Sequence, residues 1–129
     1  MSAYRAAQLD DIAAEQWPYW APIRHHFGIE TFGINAWRGA DGDEVIKRHN
    51  EQESRAPELY IVMSGRATFE VNGEEIDAPS GTCVWIEDAS AERVAFAKTD
   101  GTVVLSIAAA AKGEAFSPAG WDTSYLEGA

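Results

Sequence analysis

The sequence predicts an all-β domain, built as an antiparallel sandwich or barrel. From Thr31 onward, apolar and polar residues alternate with a period of two, which is typical of strands that bury one face. These runs are short, regularly spaced and bounded by glycine, proline, asparagine or aspartate. Almost no helical periodicity interrupts them, so one all-β domain accounts for most of the 129 residues.

Eight strands are expected between residues 31 and 108. In order, the runs are "TFGINAW", "EVIKRH", "ELYIVM", "RATFEV", "EEIDA", "TCVWI", "RVAFA" and "TVVLSIA". The strongest hairpin signal is Asn72-Gly73, because a type I′ turn requires positive φ at both central positions. In the first run, alternation places Ile34 and Ala36 on one face and Asn35 and Trp37 on the other.

Two flanking segments complete the predicted organisation. Residues 1–30 form an arm with a short helix around "LDDIAAEQ", followed by the irregular stretch "WPYWAPIRHHFG", in which two prolines break any helix. We expect its aromatic side chains to pack on the barrel or on a second subunit. Residues 109–129 form a tail that folds back through Phe116, Trp121 and Tyr125.

Composition excludes several classes of protein. The hydrophobic fraction of 46% and five tryptophans exclude a disordered chain. A formal charge of −11 opposes nucleic-acid binding, which requires an excess of cations. No apolar run approaches the roughly 20 residues of a membrane helix, and the first residues lack a secretory signal. We expect a cytoplasmic protein, with the single Cys83 as a buried, inert thiol.

A histidine and two carboxylates precede the third strand of the predicted sheet. On an extended segment His49 and Glu51 share a face, because side chains two positions apart point the same way. Glu58 comes immediately before the apolar run "LYIVM" and shares its face with Tyr60. His49, Glu51 and Glu58 can therefore point into the barrel together. The alternative is that Glu51 is a solvated loop charge, as most carboxylates are.

The same region resembles a known family. "HNEQESRAPELYIVMSGRATFEVNGEE" followed by "IDAPSGTCVWIEDASAERVAFA" is similar to the two motifs of the cupin superfamily. The first motif has the form H-x-H, then Glu and an apolar strand ending in Gly, which Glu58 and Gly65 match. The second begins around P-x-G, matched by Pro79 and Gly81, and ends with a histidine. The resemblance covers residues 31–108 and implies a small single-domain bacterial cupin, a jelly-roll barrel with an interior site.

The resemblance leaves the metal content open, because ligand positions are changed. Glu51 stands where a second histidine is expected, and Glu92 or Arg93 stands where the last one belongs. One alternative is a divalent ion (Mn, Fe, Ni, Zn or Mg) held by His49, Glu51 and Glu58, with Glu92 as a fourth ligand if it faces inward. The other is a metal-free pocket in which Arg93 supplies the positive charge. The missing histidines favour the metal-free alternative.

Three classes of function follow from this pocket. The first is an enzyme acting on a small organic molecule, with an isomerase, cyclase or oxygenase type of reaction and His49, Glu58 and Tyr60 as catalytic residues. The second is a non-catalytic small-ligand-binding module without metal. The third is a structural dimer with an inert barrel.

The predicted ligand contacts and assembly follow from the remaining residue types. Aromatic walls with a few polar groups are typical of small-molecule pockets. This pattern predicts ligand contacts by Trp37, Trp85 and Arg93. We also expect a homodimer, because small barrels expose sheet edges that must be covered.

Overall fold

The computed structural model describes residues 3–117, which fold into two antiparallel β-sheets with two short helices. Trp121 and Tyr125, predicted to fold back on the barrel, lie outside these residues. The helices are α1 (Leu9–Ile12) and α2 (Ile23–Phe27). The strands are β1 (Trp20–Ala21), β2 (Gly33–Gly39), β3 (Glu44–His49), β4 (Glu58–Ser64), β5 (Arg66–Val71), β6 (Glu74–Pro79), β7 (Cys83–Ile86), β8 (Arg93–Ala97) and β9 (Thr102–Ala108).

The strand order confirms the all-β antiparallel class and corrects one detail. One sheet has the order β1-β2-β9-β4-β7 and the other has the order β3-β8-β5-β6, with every pair antiparallel. All eight predicted strands are present. In the described part of the chain, however, no ladder joins the two sheets into a closed barrel. The prediction of a continuous barrel therefore holds only as a two-sheet arrangement.

The space between the sheets is apolar over most of its length. Val62 and Val104 from the five-stranded sheet and Phe69 from the facing sheet are fully buried in one cluster. Burying each such side chain contributes about 1.5–3 kcal/mol relative to leaving it exposed. The core therefore determines which faces of β4 and β8 point inward. Glu58 and Arg93, the first residues of these two strands, are buried polar residues at one end of the space between the sheets.

The turns agree with their predicted chemistry at two positions. Asn72 and Gly73 have φ values of 49° and 82°, and they close the β5–β6 hairpin at the pair Val71–Glu74. Gly65 has a φ of 73°, and a Cβ there would lie 2.5 Å from the hydroxyl oxygen of Thr102. Any other residue at position 65 would therefore be strained and would displace its neighbour.

The N-terminal arm packs on its own chain. β1 pairs with β2, and Ile12, Ala21 and Ala36 form a second apolar cluster on the outer face of the five-stranded sheet. The stretch predicted to be irregular contains α2, which begins directly after Pro22. A proline at that position does not break a helix, because the first turn has no partner for its N–H group.

No helix among residues 3–117 has both the length and the apolar character needed to cross a membrane. The helices contain only four and five residues. The expected homodimer concerns contacts between chains and stays a prediction.

Candidate functional site

A cavity of about 1090 Å³ opens at the polar end of the space between the sheets. The walls come from the inner faces of β2, β3 and β4, from the loop that joins β3 to β4, and from the segments at 17–20 and 109–117. Five of the predicted site residues line it: Trp37, His49, Glu51, Glu58 and Tyr60. The structure thus brings together the imidazole and the two carboxylates that sequence reasoning grouped.

Glu58 is a buried carboxylate in the cavity wall. It is the first residue of β4 and only 7% exposed. Its Oε1 accepts a hydrogen bond of 2.5 Å from the hydroxyl of Tyr60 and one of 2.7 Å from Nη1 of Arg93. A buried carboxylate requires such partners, because an unpaired buried charge is costly.

Arg93 lies behind Glu58, completely buried at the start of β8. Its Cα lies opposite that of His49 in the β3–β8 pair. The Nε group donates to the Ala91 carbonyl at 3.0 Å, and Nη2 donates to the Asp88 carbonyl at 3.4 Å. Two backbone carbonyls and one carboxylate therefore hold the guanidinium in a single position.

His49 bridges the buried carboxylate and the loop. Its Nδ1 lies 2.6 Å from the Lys47 carbonyl, which can only accept, so Nδ1 carries a hydrogen. Its Nε2 lies 3.0 Å from Oε1 of Glu51 and 3.6 Å from Oε1 of Glu58. Burial opposes a charge on this ring, but the carboxylates of Glu51 and Glu58 outweigh burial and raise the pKa of His49 to about 10. The ring is therefore an imidazolium at neutral pH.

The pKa values of the other two groups are shifted in opposite directions. Burial alone would raise the pKa of the Glu58 carboxyl, but its interactions with His49, Tyr60 and Arg93 outweigh burial and lower that pKa. Burial and the adjacent charge of Glu58 raise the pKa of the Tyr60 phenol well above its usual value. Glu58 is thus ionised and Tyr60 is protonated across the neutral range.

The cupin resemblance implies a possible divalent ion, for which His49, Glu51 and Glu58 are the candidate ligands. Ligand atoms of His49, Glu51 and Glu58 all lie within 4.8 Å of one another, a spacing that a divalent ion can span. However, the Glu58 oxygen nearest His49 already binds the guanidinium of Arg93. An ion on this oxygen would lie beside a permanent cation and would remove its counter-ion. Because Arg93 supplies a positive charge here and already binds Oε1 of Glu58, these residues do not fit a metal centre.

The aromatic part of the cavity wall is held by hydrogen bonds. The rings of Trp20 and Trp37 are stacked, with centroids 5.9 Å apart and planes 8° apart. Trp20 donates through Nε1 to Oδ1 of Asn35, and Trp37 donates to Oγ of Ser106, each at 2.9 Å. Sequence reasoning placed Trp37 and Asn35 on one face but missed Ser106. The available signal was a lone serine at an inward position of the apolar run "TVVLSIA".

The structure places three predicted residues away from the cavity. Trp85 is 55% exposed and Cys83 is exposed too, because both lie on the outer face of the edge strand β7. Glu92 binds Arg48 at 3.0 Å on the surface, so it is not beside His49. Arg93 is close to the cluster but fully buried, which prevents a direct contact with a ligand. Trp85 and Arg93 as ligand contacts, Glu92 as a metal ligand and Cys83 as a buried thiol are therefore corrected.

Comparisons with known proteins agree on the fold. A cupin protein from Bacteroides fragilis is 16% identical, with a TM-score of 0.67 over 92% of this chain and 93% of that one. A protein described as a sugar phosphate isomerase from a cupin superfamily, from Silicibacter pomeroyi, is 16% identical, with a TM-score of 0.59 over 70% of this chain and 57% of that one. KdgF from Halomonas sp. is 14% identical, with a TM-score of 0.56 over 65% of this chain and 73% of that one.

The chain has a cupin fold. No family model matches the sequence, and no curated protein does. At these identities the similarity concerns the cupin fold and not the chemistry, which has to be argued from the cavity of this chain.

Proposed function

We propose that this cupin-fold protein binds a small organic molecule in the cavity and transfers protons to and from it. The observation that carries the proposal is the chain Arg93–Glu58–His49. It presents a positively charged imidazole, held by carboxylates, at the inner wall of an aromatic-lined cavity. Perturbed ionisable groups in a cavity are typical of catalytic sites.

His49 is the proton donor in this proposal. Its side chain is 35% exposed and lines the cavity, so a ligand can reach Nε2. A pKa of about 10 keeps the ring charged in the resting state. Such a group gives up its proton only to a strong base. An alkoxide or enolate oxygen that forms during a reaction is a base of this strength. The neutral ring can then take a proton back through the same nitrogen.

Glu51 is the proton acceptor, and Glu58 holds the charge. Glu51 is the more exposed carboxylate, with a side chain 24% exposed against 10% for Glu58. Its carboxylate binds His49 and the hydroxyl of Ser54, and among residues 3–117 it forms no ion pair with an arginine. Oε1 of Glu58 is already committed to Tyr60 and Arg93, which makes Glu58 a weak base. This differs from the sequence-based assignment of Glu58 and Tyr60 as catalytic groups, because here Glu58 holds His49 and the Tyr60 hydroxyl holds Glu58.

An isomerisation or epimerisation next to a carbonyl suits this pair of groups. One group removes a proton from carbon while the other protonates the oxygen, and the roles reverse in the second half. That one protein of similar fold is described as a sugar phosphate isomerase makes hydroxy ketones and hydroxy aldehydes the first compounds to test.

Exchange with solvent deuterium tests the proposal without knowledge of the natural substrate. The protein is incubated in D₂O with a panel of small hydroxy ketones, hydroxy aldehydes and keto acids, and loss of the α-proton signal is followed by NMR. We expect at least one compound to exchange, with the rate lowered about 100-fold or more by His49→Gln or Glu51→Gln. Glu75→Gln, on the exposed part of β6, is the matched control and should leave the rate unchanged. Equal exchange in His49→Gln and wild type would contradict the proposal.

A non-catalytic ligand-binding protein is the second candidate. The observation that favours it is the preorganised tryptophan wall, whose hydrogen-bonded rings bind flat ligands at little entropic cost. Saturable tryptophan quenching by a compound that shows no exchange would support this candidate, whereas exchange lost in His49→Gln with quenching retained would support the enzyme.

A further inference from the structure

We infer that Arg93 takes the place of a metal ion in this centre. Its buried guanidinium supplies the positive charge that Glu58 and its neighbours require, so that the cluster is complete without a divalent cation. This role of Arg93 is independent of the proton transfer proposed above, and measurements of metal binding test it separately.

The position of Arg93 is the first argument. β8 lies beside β3, and the Cα atoms of Arg93 and His49 are direct partners in that ladder. Both side chains converge on Oε1 of Glu58, Arg93 at 2.7 Å and His49 at 3.6 Å. An ion that joined His49 to Glu58 through Oε1, the oxygen near the imidazole, would share this oxygen with the guanidinium.

The balance of charge is the second argument. Arg93 already places a permanent positive charge 2.7 Å from the Glu58 carboxylate. A divalent ion would add two positive charges beside a guanidinium that cannot give up its proton in a protein.

The anchoring of Arg93 is the third argument. An exposed arginine could swing away to admit an ion, but this side chain has no exposed surface. The carbonyls of Ala91 and Asp88 bind Nε and Nη2, so the plane of the guanidinium is fixed from behind. Moving it would leave a buried charge and two carbonyls without their present partners.

The arrangement predicts that one substitution creates a metal site. Arg93→His removes the permanent cation and places an imidazole on β8 opposite His49. With His49, Glu51 and Glu58 this gives two imidazoles and two carboxylates, a donor set that suits Zn²⁺ or Mn²⁺. Arg93→Lys is the matched control, since it keeps a positive charge and adds no ligand at neutral pH.

The experiment measures metal binding and not activity. Wild type, His49→Gln, Arg93→His, Arg93→Lys and the double variant Arg93→His/His49→Gln are purified without an affinity tag. Each is titrated with ZnCl₂ and with MnCl₂ by calorimetry, and metal content is measured by elemental analysis after dialysis. Circular dichroism and thermal unfolding show which variants fold.

We expect Arg93→His alone to gain metal binding. Arg93→His should retain one equivalent of metal, whereas wild type, Arg93→Lys and the double variant should retain less than about a tenth of that amount. One equivalent bound to wild type and lost in His49→Gln would overturn the inference, whether or not Arg93→His folds. A folded Arg93→His that gains no metal would overturn it as well. Neither outcome depends on the deuterium exchange, so failure of the proposed function is recognised independently.

Discussion

Two arginine–glutamate ion pairs lie near the start of β8, one of them buried and the other exposed to solvent. Arg93 binds Glu58 at 2.7 Å, with side chains 0% and 10% exposed. Arg48 binds Glu92 at 3.0 Å, with side chains 51% and 53% exposed. Glu92 and Arg93 are adjacent in sequence, and the start of β8 directs one outward and the other inward.

The comparison shows that burial, and not residue type, gives an ion pair its role. Water screens the exposed pair and can replace either partner, so its contribution is small. The buried pair has no solvent to replace a lost partner, and it fixes the charge that holds His49 in the cavity wall. Four substitution or pH experiments can break or sharpen this contrast.

The largest effect is expected for the buried cation. Arg93→Met leaves the Glu58 carboxylate buried without its guanidinium, which should lower the free energy of unfolding by about 3–5 kcal/mol. Urea denaturation monitored by tryptophan fluorescence measures the change. A loss below about 1 kcal/mol would mean that Glu58 finds another partner or reaches water.

Removing both members of the buried pair should cost less than removing one. In Arg93→Met/Glu58→Leu no buried charge lacks a partner, so we expect about half or more of the stability lost in Arg93→Met to return. Urea denaturation of wild type, Arg93→Met, Glu58→Leu and the double variant completes a double-mutant cycle. Strictly additive losses would contradict a direct interaction between the two side chains.

The charge on His49 should make stability depend on pH in one direction. The pKa of this ring rises from 6.5 to about 10 on folding, so its contribution is fully present below pH 6.5 and is lost as pH rises towards 10. The difference in unfolding free energy between wild type and His49→Gln should therefore shrink steadily over that interval. A difference that stays constant from neutral to alkaline pH would show that the imidazole is not charged by its carboxylate neighbours.

The smallest effect is expected at the surface. Glu92→Gln removes the exposed partner of Arg48 and should change the free energy of unfolding by less than about 1 kcal/mol. High salt should abolish even this difference, whereas it should leave the loss in Arg93→Met nearly unchanged. A salt-sensitive buried pair would reverse the contrast.

Most of the fold follows from local sequence signals. "EVIKRH", "RATFEV", "RVAFA" and "TVVLSIA" coincide with β3, β5, β8 and β9, because period-two patterns and turn residues are read over a few positions. Whether the two sheets close into a barrel depends on pairing between distant strands, which no local pattern specifies. The helix after Pro22 was missed because a proline can begin a helix as well as break one.

The sequence predicted the direction of a site residue only where alternation within a single strand determines it. The predicted inward direction of His49, Glu58 and Tyr60 agrees with the structure, because strand alternation and the adjacent apolar run fix it, and their catalytic roles stay predictions. Whether Glu92 or Arg93 faced inward depended on the register at the start of β8, and a shift of one residue reverses the answer. Trp85 was misplaced because an aromatic residue on an edge strand can point either way.

A crystal structure of wild-type protein grown with MnCl₂, with anomalous data collected for manganese, tests the central claim most directly. The account predicts Nη1 of Arg93 within hydrogen-bond distance of Glu58 and no anomalous peak between His49 and Glu58. A manganese peak within ligand distance of both residues, with Arg93 turned away from Glu58, would contradict it.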